Sequence, residues 1–304
     1  MLKFEVTILG CGCAVPTNEH LPSAQVVNVR DKLFLVDCAE GTQLQLRRNH
    51  INLQNISAVF ISHLHGDHCY GLIGLLSTFS LLDRQKAFHI YAHPDLERIL
   101  RPQLDYYAKD SSYEILFHTI DTTAEALIYE DKSLEVWTLP LRHGVPCCGF
   151  LFKEKPGLRH IRRDMIDYLN IPHYEIKAIK EGADWTTAEG NVIANERLTT
   201  PADPVRSYAY CSDTAYDESL AERIHGVTLL YHEATYCEDL IAKAQKYSHS
   251  TAAQAARIAR LADAKRLVIG HYSKCYSNDN VFLDEAKPIF PNTILAKENL
   301  TLEV

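Results

Sequence analysis

The chain has 304 residues, 46% of them hydrophobic, and a formal charge of −8 at pH 7. A chain of that length can bury a sizeable core as one large α/β domain or two smaller ones, and it needs no disulfide framework to fold. The acidic balance excludes a protein that coats nucleic acid over its whole surface, while leaving room for a local basic patch.

The first ten residues alternate polar and apolar side chains and run into Gly10-Cys11-Gly12-Cys13, so they read as a strand over 4–9 and not as a signal peptide. Strands are expected next at 24–29, 32–36, 58–61 and 88–91, with helices over 71–82 and 94–104. Further strands follow at 134–139, 207–210, 228–231 and 266–269, and helices at 217–224 and 250–261, the last beginning on a Ser250-Thr251 cap. The expected class is α/β with a substantial mixed sheet. No run approaches the roughly 18 apolar residues of a membrane span. The nine cysteines, at 11, 13, 38, 69, 147, 148, 211, 237 and 275, form no C-x-x-C pair, which suits a reducing cytoplasm. Cys11 and Cys13, beside a strand end, read as buried packing.

The chemistry concentrates after the strand at 58–61, where Ser62-His63-Leu64-His65-Gly66-Asp67-His68 precedes a helix. His63 and His65, two apart in extended chain, project the same way. Gly66 permits a tight turn that sends Asp67 and His68 toward a neighbouring point. That supplies two ligands to each of two ions. Imidazoles with a carboxylate and no thiolate suit an open catalytic zinc site, with manganese or iron as substitutes. As plain loop histidines, three imidazoles and a carboxylate within six residues have no common purpose. Three more candidates each lie just past a strand: His143, Asp213 and His271. A carboxylate such as Asp213 can bridge two ions while each histidine completes one. His20, His50, His89, His93, His118, His160, His173 and His225 have no comparable company.

With its intact H-x-H-x-D-H loop, the chain resembles the metallo-β-lactamase superfamily and, within it, the ribonuclease Z family of tRNA 3′ endonucleases. The likeness runs nearly end to end. It includes Pro22-Ser23-Ala24, Asp37-Cys38-Ala39-Glu40-Gly41-Thr42-Gln43, Arg142-His143-Gly144, Ser212-Asp213-Thr214, His232-Glu233-Ala234-Thr235, His249-Ser250-Thr251 and Gly270-His271-Tyr272-Ser273. It implies one four-layer αββα domain over 1–304 carrying an inserted arm at 150–205. It also implies two zinc ions, one on His63, His65 and His143, the other on Asp67, His68 and His271, with Asp213 and a hydroxide bridging. A metal-bound hydroxide would attack the phosphodiester at the 3′ side of a tRNA precursor, with Asp67 as proton acceptor. His249, oriented by Glu233, would assist the leaving group. Asp37 would hydrogen-bond a ligating imidazole.

From 153 to 180, seven basic residues (Lys153, Lys155, Arg159, Arg162, Arg163, Lys177, Lys180) face four acids, Glu154, Asp164, Asp167 and Glu175. On its own such a run is a solvated face. The resemblance makes it an arm that grips tRNA through phosphates, serving the partner subunit of a homodimer. Against the family pattern, Ala39 replaces a Gly, Cys275 an Arg, and Cys11-Gly12-Cys13 a Thr and Ser pair. Ile171-Pro172-His173-Tyr174 lacks the Gly-Pro turn of the arm's tip. The competing reading is a phosphodiesterase of the same superfamily acting on a small or single-stranded substrate; a third, a non-catalytic RNA-binding protein with a vestigial site, is disfavoured by the intact ligand set.

Overall fold

Residues 2–109 and 111–304 are described by a computed structural model. The first half of the chain builds β1 (Phe4–Gly10), β2 (Ala24–Val29), β3 (Lys32–Val36), β4 (Ile56–Phe60), β5 (Phe88–Ala92) and β6 (Ile115–Thr119). Alternation decides which face each residue buries. Along β4 and just beyond it, Ala58 and Phe60 enter one hydrophobic cluster while Val59 and Ile61 enter another. A strand buried on both faces reads as a continuous apolar run, and here it is paired in parallel on both sides, with β3 and with β5.

The second sheet starts with β7 (Leu127–Glu130), β8 (Leu134–Pro140) and β9 (Cys148–Glu154). The chain then leaves the sheet for an excursion holding β10 (His160–Ile161), helices Arg163–Leu169 and Ile176–Lys180, β11 (Trp185–Thr186), β12 (Val192–Ile193), helix Asn195–Leu198 and β13 (Thr199–Thr200). It has a small core of its own, Ile171, Ile179, Trp185 and Leu198. Buried Asn195 ties it together, donating through Nδ2 to the carbonyls of Ile179 and Ala183, each at 2.7 Å. At the base, the Arg206 guanidinium meets Glu154 at 2.9 Å.

The chain rejoins the sheet as β14 (Ser207–Cys211), β15 (Leu229–Glu233), β16 (Arg266–Gly270) and β17 (Thr293–Leu295), and β18 (Thr301–Glu303) returns to the first sheet beside β1. The sheets run β18-β1-β2-β3-β4-β5-β6 and β17-β16-β15-β14-β9-β8-β7. Each has an antiparallel half and a parallel half. Phe60 lies 5.5 Å from both Phe150 and Phe152 across the inter-sheet core. Helices Leu72–Leu81 and Asp95–Tyr107 pack their leucines on the outer face of the first sheet, and Ala252–Leu261 covers the second with a row of alanines. The result is the expected four-layer αββα sandwich. The expected strands and helices all occur within a few residues. The strands β6, β7, β9, β17 and β18, which the sequence reading did not anticipate, supply edges and the second sheet's antiparallel half.

Candidate metal centre

Every parallel strand near the centre delivers a polar residue at its carboxyl end, the usual place for a site in such sheets. Asp37 follows β3, His63 follows β4, Asp213 follows β14, Glu233 ends β15 and His271 follows β16. Asp37 and His271 sit at φ +55° and +67°, in the left-handed region that a non-glycine residue takes only under constraint.

The seven expected ligands converge in two groups that share Asp213. In the first, His65 Nδ1 lies 3.1 Å from His63 Nε2 and 3.2 Å from His143 Nε2. Asp213 Oδ2 lies 3.7 Å and 3.8 Å from the ring nitrogens of His63 and His143. In the second, Asp213 Oδ1 lies 3.4 Å from His68 Nε2 and 3.2 Å from His271 Nε2. Asp67 Oδ2 stands 3.7 Å and 3.6 Å from the same two nitrogens. Zinc–nitrogen bonds of about 2.0–2.1 Å place tetrahedral ligands about 3.3 Å apart, and the spacings here, 3.1 to 3.8 Å, are of the size that ligands of a common ion would show. His68 Nε2, His271 Nε2 and Asp213 Oδ1 are buried without a hydrogen-bond partner among the described residues. Polar atoms are not left buried and unpaired without reason, and a divalent cation satisfies all three at once. The donor set therefore fits a pair of metal ions.

The other ring nitrogens are fixed by neighbours. His68 Nδ1 meets Asp37 Oδ2 at 2.7 Å, and that oxygen also accepts from Tyr210 and Ser62 at 2.7 Å and 2.9 Å. His143 Nδ1 lies 3.1 Å from the Ser248 carbonyl and His271 Nδ1 2.8 Å from Thr235 Oγ1. The Ala14 amide donates to Asp67 Oδ2 at 2.8 Å. Such bonds set ring orientation and tautomer for ligation.

Electrostatics match this arrangement. Burial, with His68 next to it, holds the His63 imidazole far below its ordinary pKa, hence neutral, and burial does the same to His143. Burial opposes the Asp213 and Asp67 charges, yet the histidines around them keep both carboxyls well below the usual range. Against burial, the carboxylates raise His68 and His271. A metal bound here would take the place of those protons.

Glu233 and His249 adjoin the second group. Glu233 is fully buried and accepts five hydrogen bonds: from the amides of Thr214, Ser250 and Thr235 at 3.1, 2.9 and 2.9 Å, from Thr235 Oγ1 at 2.8 Å, and from His249 Nδ1 at 3.0 Å. Burial disfavours the charged form of His249, but the Glu233 carboxylate outweighs it and raises the pKa. With Nδ1 committed to Glu233, Nε2 is the nitrogen left for the cleft that His249 lines. That cleft, of about 790 Å³, opens over His65, Asp67, His143, Asp213 and His249, with Lys243 and Lys274 at its rim.

One local reading changes and another is sharpened. The turn at Gly66 is the opening of a short helix, Gly66–Cys69, and a Cβ there would come within 2.2 Å of the Tyr70 ring. Cys11 is buried as expected, but Cys13 is only partly buried and lines the cleft, because Gly12 bridges to Tyr272 and turns the chain toward His271. The roles of Tyr210, Thr235 and the Ala14 amide escaped sequence reasoning. Ala14 contributes a backbone atom, and no residue type signals that.

A family profile described as "Anti-Pycsar protein Apyc1" matches residues 4–156. A ribonuclease Z from Bacteroides fragilis strain YCH46 is 52% identical to this chain over 304 residues, covering 100% of both. Among solved structures, the short form of human tRNase Z superposes with a TM-score of 0.70 at 24% identity over 98% of each chain. The metallo-β-lactamase fold protein YhfI from Bacillus subtilis gives 0.69 at 19% identity over 99% of each.

Proposed function

The chain belongs to the ribonuclease Z family, and from that premise we propose that its cleft hydrolyses the phosphodiester at the 3′ side of tRNA precursors. The observation that carries the reading is the Glu233–His249 pair held against the shared-carboxylate ligand set. Two zinc ions, or manganese or iron in their place, would be held by His63, His65 and His143 and by Asp67, His68 and His271, with Asp213 between. When bound they supply water activation and neutralise charge on the scissile phosphate. Asp67, ionised and fixed by the Ala14 amide, accepts the proton of the attacking water. His249, whose protonated form the Glu233 carboxylate favours, donates to the departing 3′ oxygen as the P–O bond breaks. Lys243 and Lys274 at the rim draw in the phosphate backbone.

The excursion between β9 and β14 serves as the substrate arm. In sequence Arg162, Arg163 and Lys177 flank Tyr168 and Tyr174, which are 79% and 81% exposed, so the segment offers groups for phosphate contacts and for stacking. A homodimer, with each arm serving the other subunit's cleft, and a reducing cytoplasm, which keeps all nine thiols free, complete the reading.

One observation favours the second reading, a phosphodiesterase for a small or single-stranded substrate. From Lys155 to Arg206 the excursion carries eight basic and eight acidic residues, and Arg162 is already paired with Asp164 at 2.8 Å. Charge reversal of Arg162, Arg163 and Lys177 separates the two. The tRNA reading expects loss of precursor cleavage with a small diester still hydrolysed; equal effects on both substrates, or none, favour the alternative.

A further inference from the structure

We propose that Cys13 is a thiolate donor to the second metal position, beside His68, His271, Asp67 and Asp213. The inference rests on the two-metal reading. After β1 the chain is pinned on both sides of this residue: the Cys13 amide donates to the Tyr272 carbonyl at 3.1 Å, and the Ala14 amide donates to Asp67 Oδ2 at 2.8 Å. Cys13 is thereby locked to the residue after one ligand and to the carboxylate of another. Its Sγ, an Asp67 oxygen and a His271 nitrogen all lie within 4.8 Å of one another. The His271 nitrogen on this side, Nε2, is buried and unpartnered among the described residues. Zinc bonds of about 2.3 Å to sulfur and 2.0–2.1 Å to nitrogen correspond to a tetrahedral sulfur–nitrogen edge of about 3.6 Å, which falls inside the 4.8 Å span of this cluster.

The neighbouring thiols are placed differently. Cys11 is fully buried and donates to the Ala296 carbonyl at 3.6 Å. Its companions His20 and Glu298 already bond each other at 3.1 Å, so that cluster is satisfied without an ion. Cys147 lies 3.6 Å from His63 Nδ1, the nitrogen turned away from the first ligand group. Ligation releases the Cys13 proton and leaves sulfur bound to the ion. A thiolate in an otherwise nitrogen and oxygen set biases the position toward zinc, cobalt or cadmium over manganese or magnesium.

Cobalt(II) titration of the metal-free protein tests this by absorbance alone. Visible d–d bands report cobalt held by the site, and a near-ultraviolet sulfur-to-cobalt charge-transfer band reports a thiolate ligand. Wild type should show both, Cys13→Ser should keep the d–d bands and lose the charge-transfer band, and Cys147→Ser should keep both. Cys13→Ser should also weaken cadmium binding more than manganese binding. Charge-transfer intensity absent from wild type, or surviving in Cys13→Ser, overturns the inference while the d–d bands leave the two-metal reading standing. If no d–d bands form at all, the two-metal reading falls, and this inference with it.

Discussion

Replacing Glu233 by Gln removes one charge and turns one acceptor into a donor facing partners that all donate to it in the native arrangement. The least disruptive rotamer points the amide nitrogen at Thr235, whose hydroxyl can rotate to accept, but the Thr235 amide then loses its partner. An orphaned buried N–H costs about 1–3 kcal/mol, and the remaining bonds lose their ionic assistance, so destabilisation of about 2–4 kcal/mol is expected. His249 loses the carboxylate that raises its pKa. A raised imidazole pKa contributes stability below the unfolded value and loses it as pH rises through the folded value; the general-acid form disappears over the same interval. Glu233→Gln should therefore move the alkaline limb of the kcat profile to lower pH. Urea unfolding at pH 6 and pH 8, with the pH–rate profile on a tRNA precursor, measures both effects. A variant within about 0.5 kcal/mol of wild type, which is the size of an ordinary surface change, and with an unmoved alkaline limb would refute the reasoning.

Asp37→Asn keeps a residue tolerant of the observed positive φ but places an amide where His68, Tyr210 and Ser62 need one acceptor oxygen. Metal affinity should fall about 10–100-fold, with activity recovered in excess zinc; unchanged affinity in a chelator competition would contradict the role. Phe60→Ala empties the contact between the sheets and should cost about 3–5 kcal/mol by denaturant unfolding, with the metal ligands still in place. Zinc at a hundred times its dissociation constant should add about 2.7 kcal/mol per site to the stability of the metal-free protein, and a melting temperature that ignores zinc would count against a metal centre.

The loop from Ser62 to His68 announced the site because its chemistry is contiguous in sequence, and His143, Asp213 and His271 could be added because each follows an apolar strand. Pairing across distance was harder to read. β9 ends in Lys153 and Glu154, which look like the start of a solvated run, yet Glu154 is buried against Arg206 from the far side of the excursion. β18 is three residues long and exists because β1 offers an edge to it. Asp37 could be singled out from the family pattern, but its three-way grip depends on Tyr210, a residue whose pattern suits ordinary core. Cys13 looked like packing because C-x-C beside a strand usually is, and the bridge from Gly12 to Tyr272 that turns it into the cleft joins segments some 260 residues apart in sequence.

The most direct measurement is to incubate the purified protein with a 3′-extended tRNA precursor, with zinc and with chelator, and map the new end. A single cut just after the discriminator base, abolished by chelator and restored by zinc, is the predicted result. An intact precursor, or hydrolysis of small diesters only, would contradict the account.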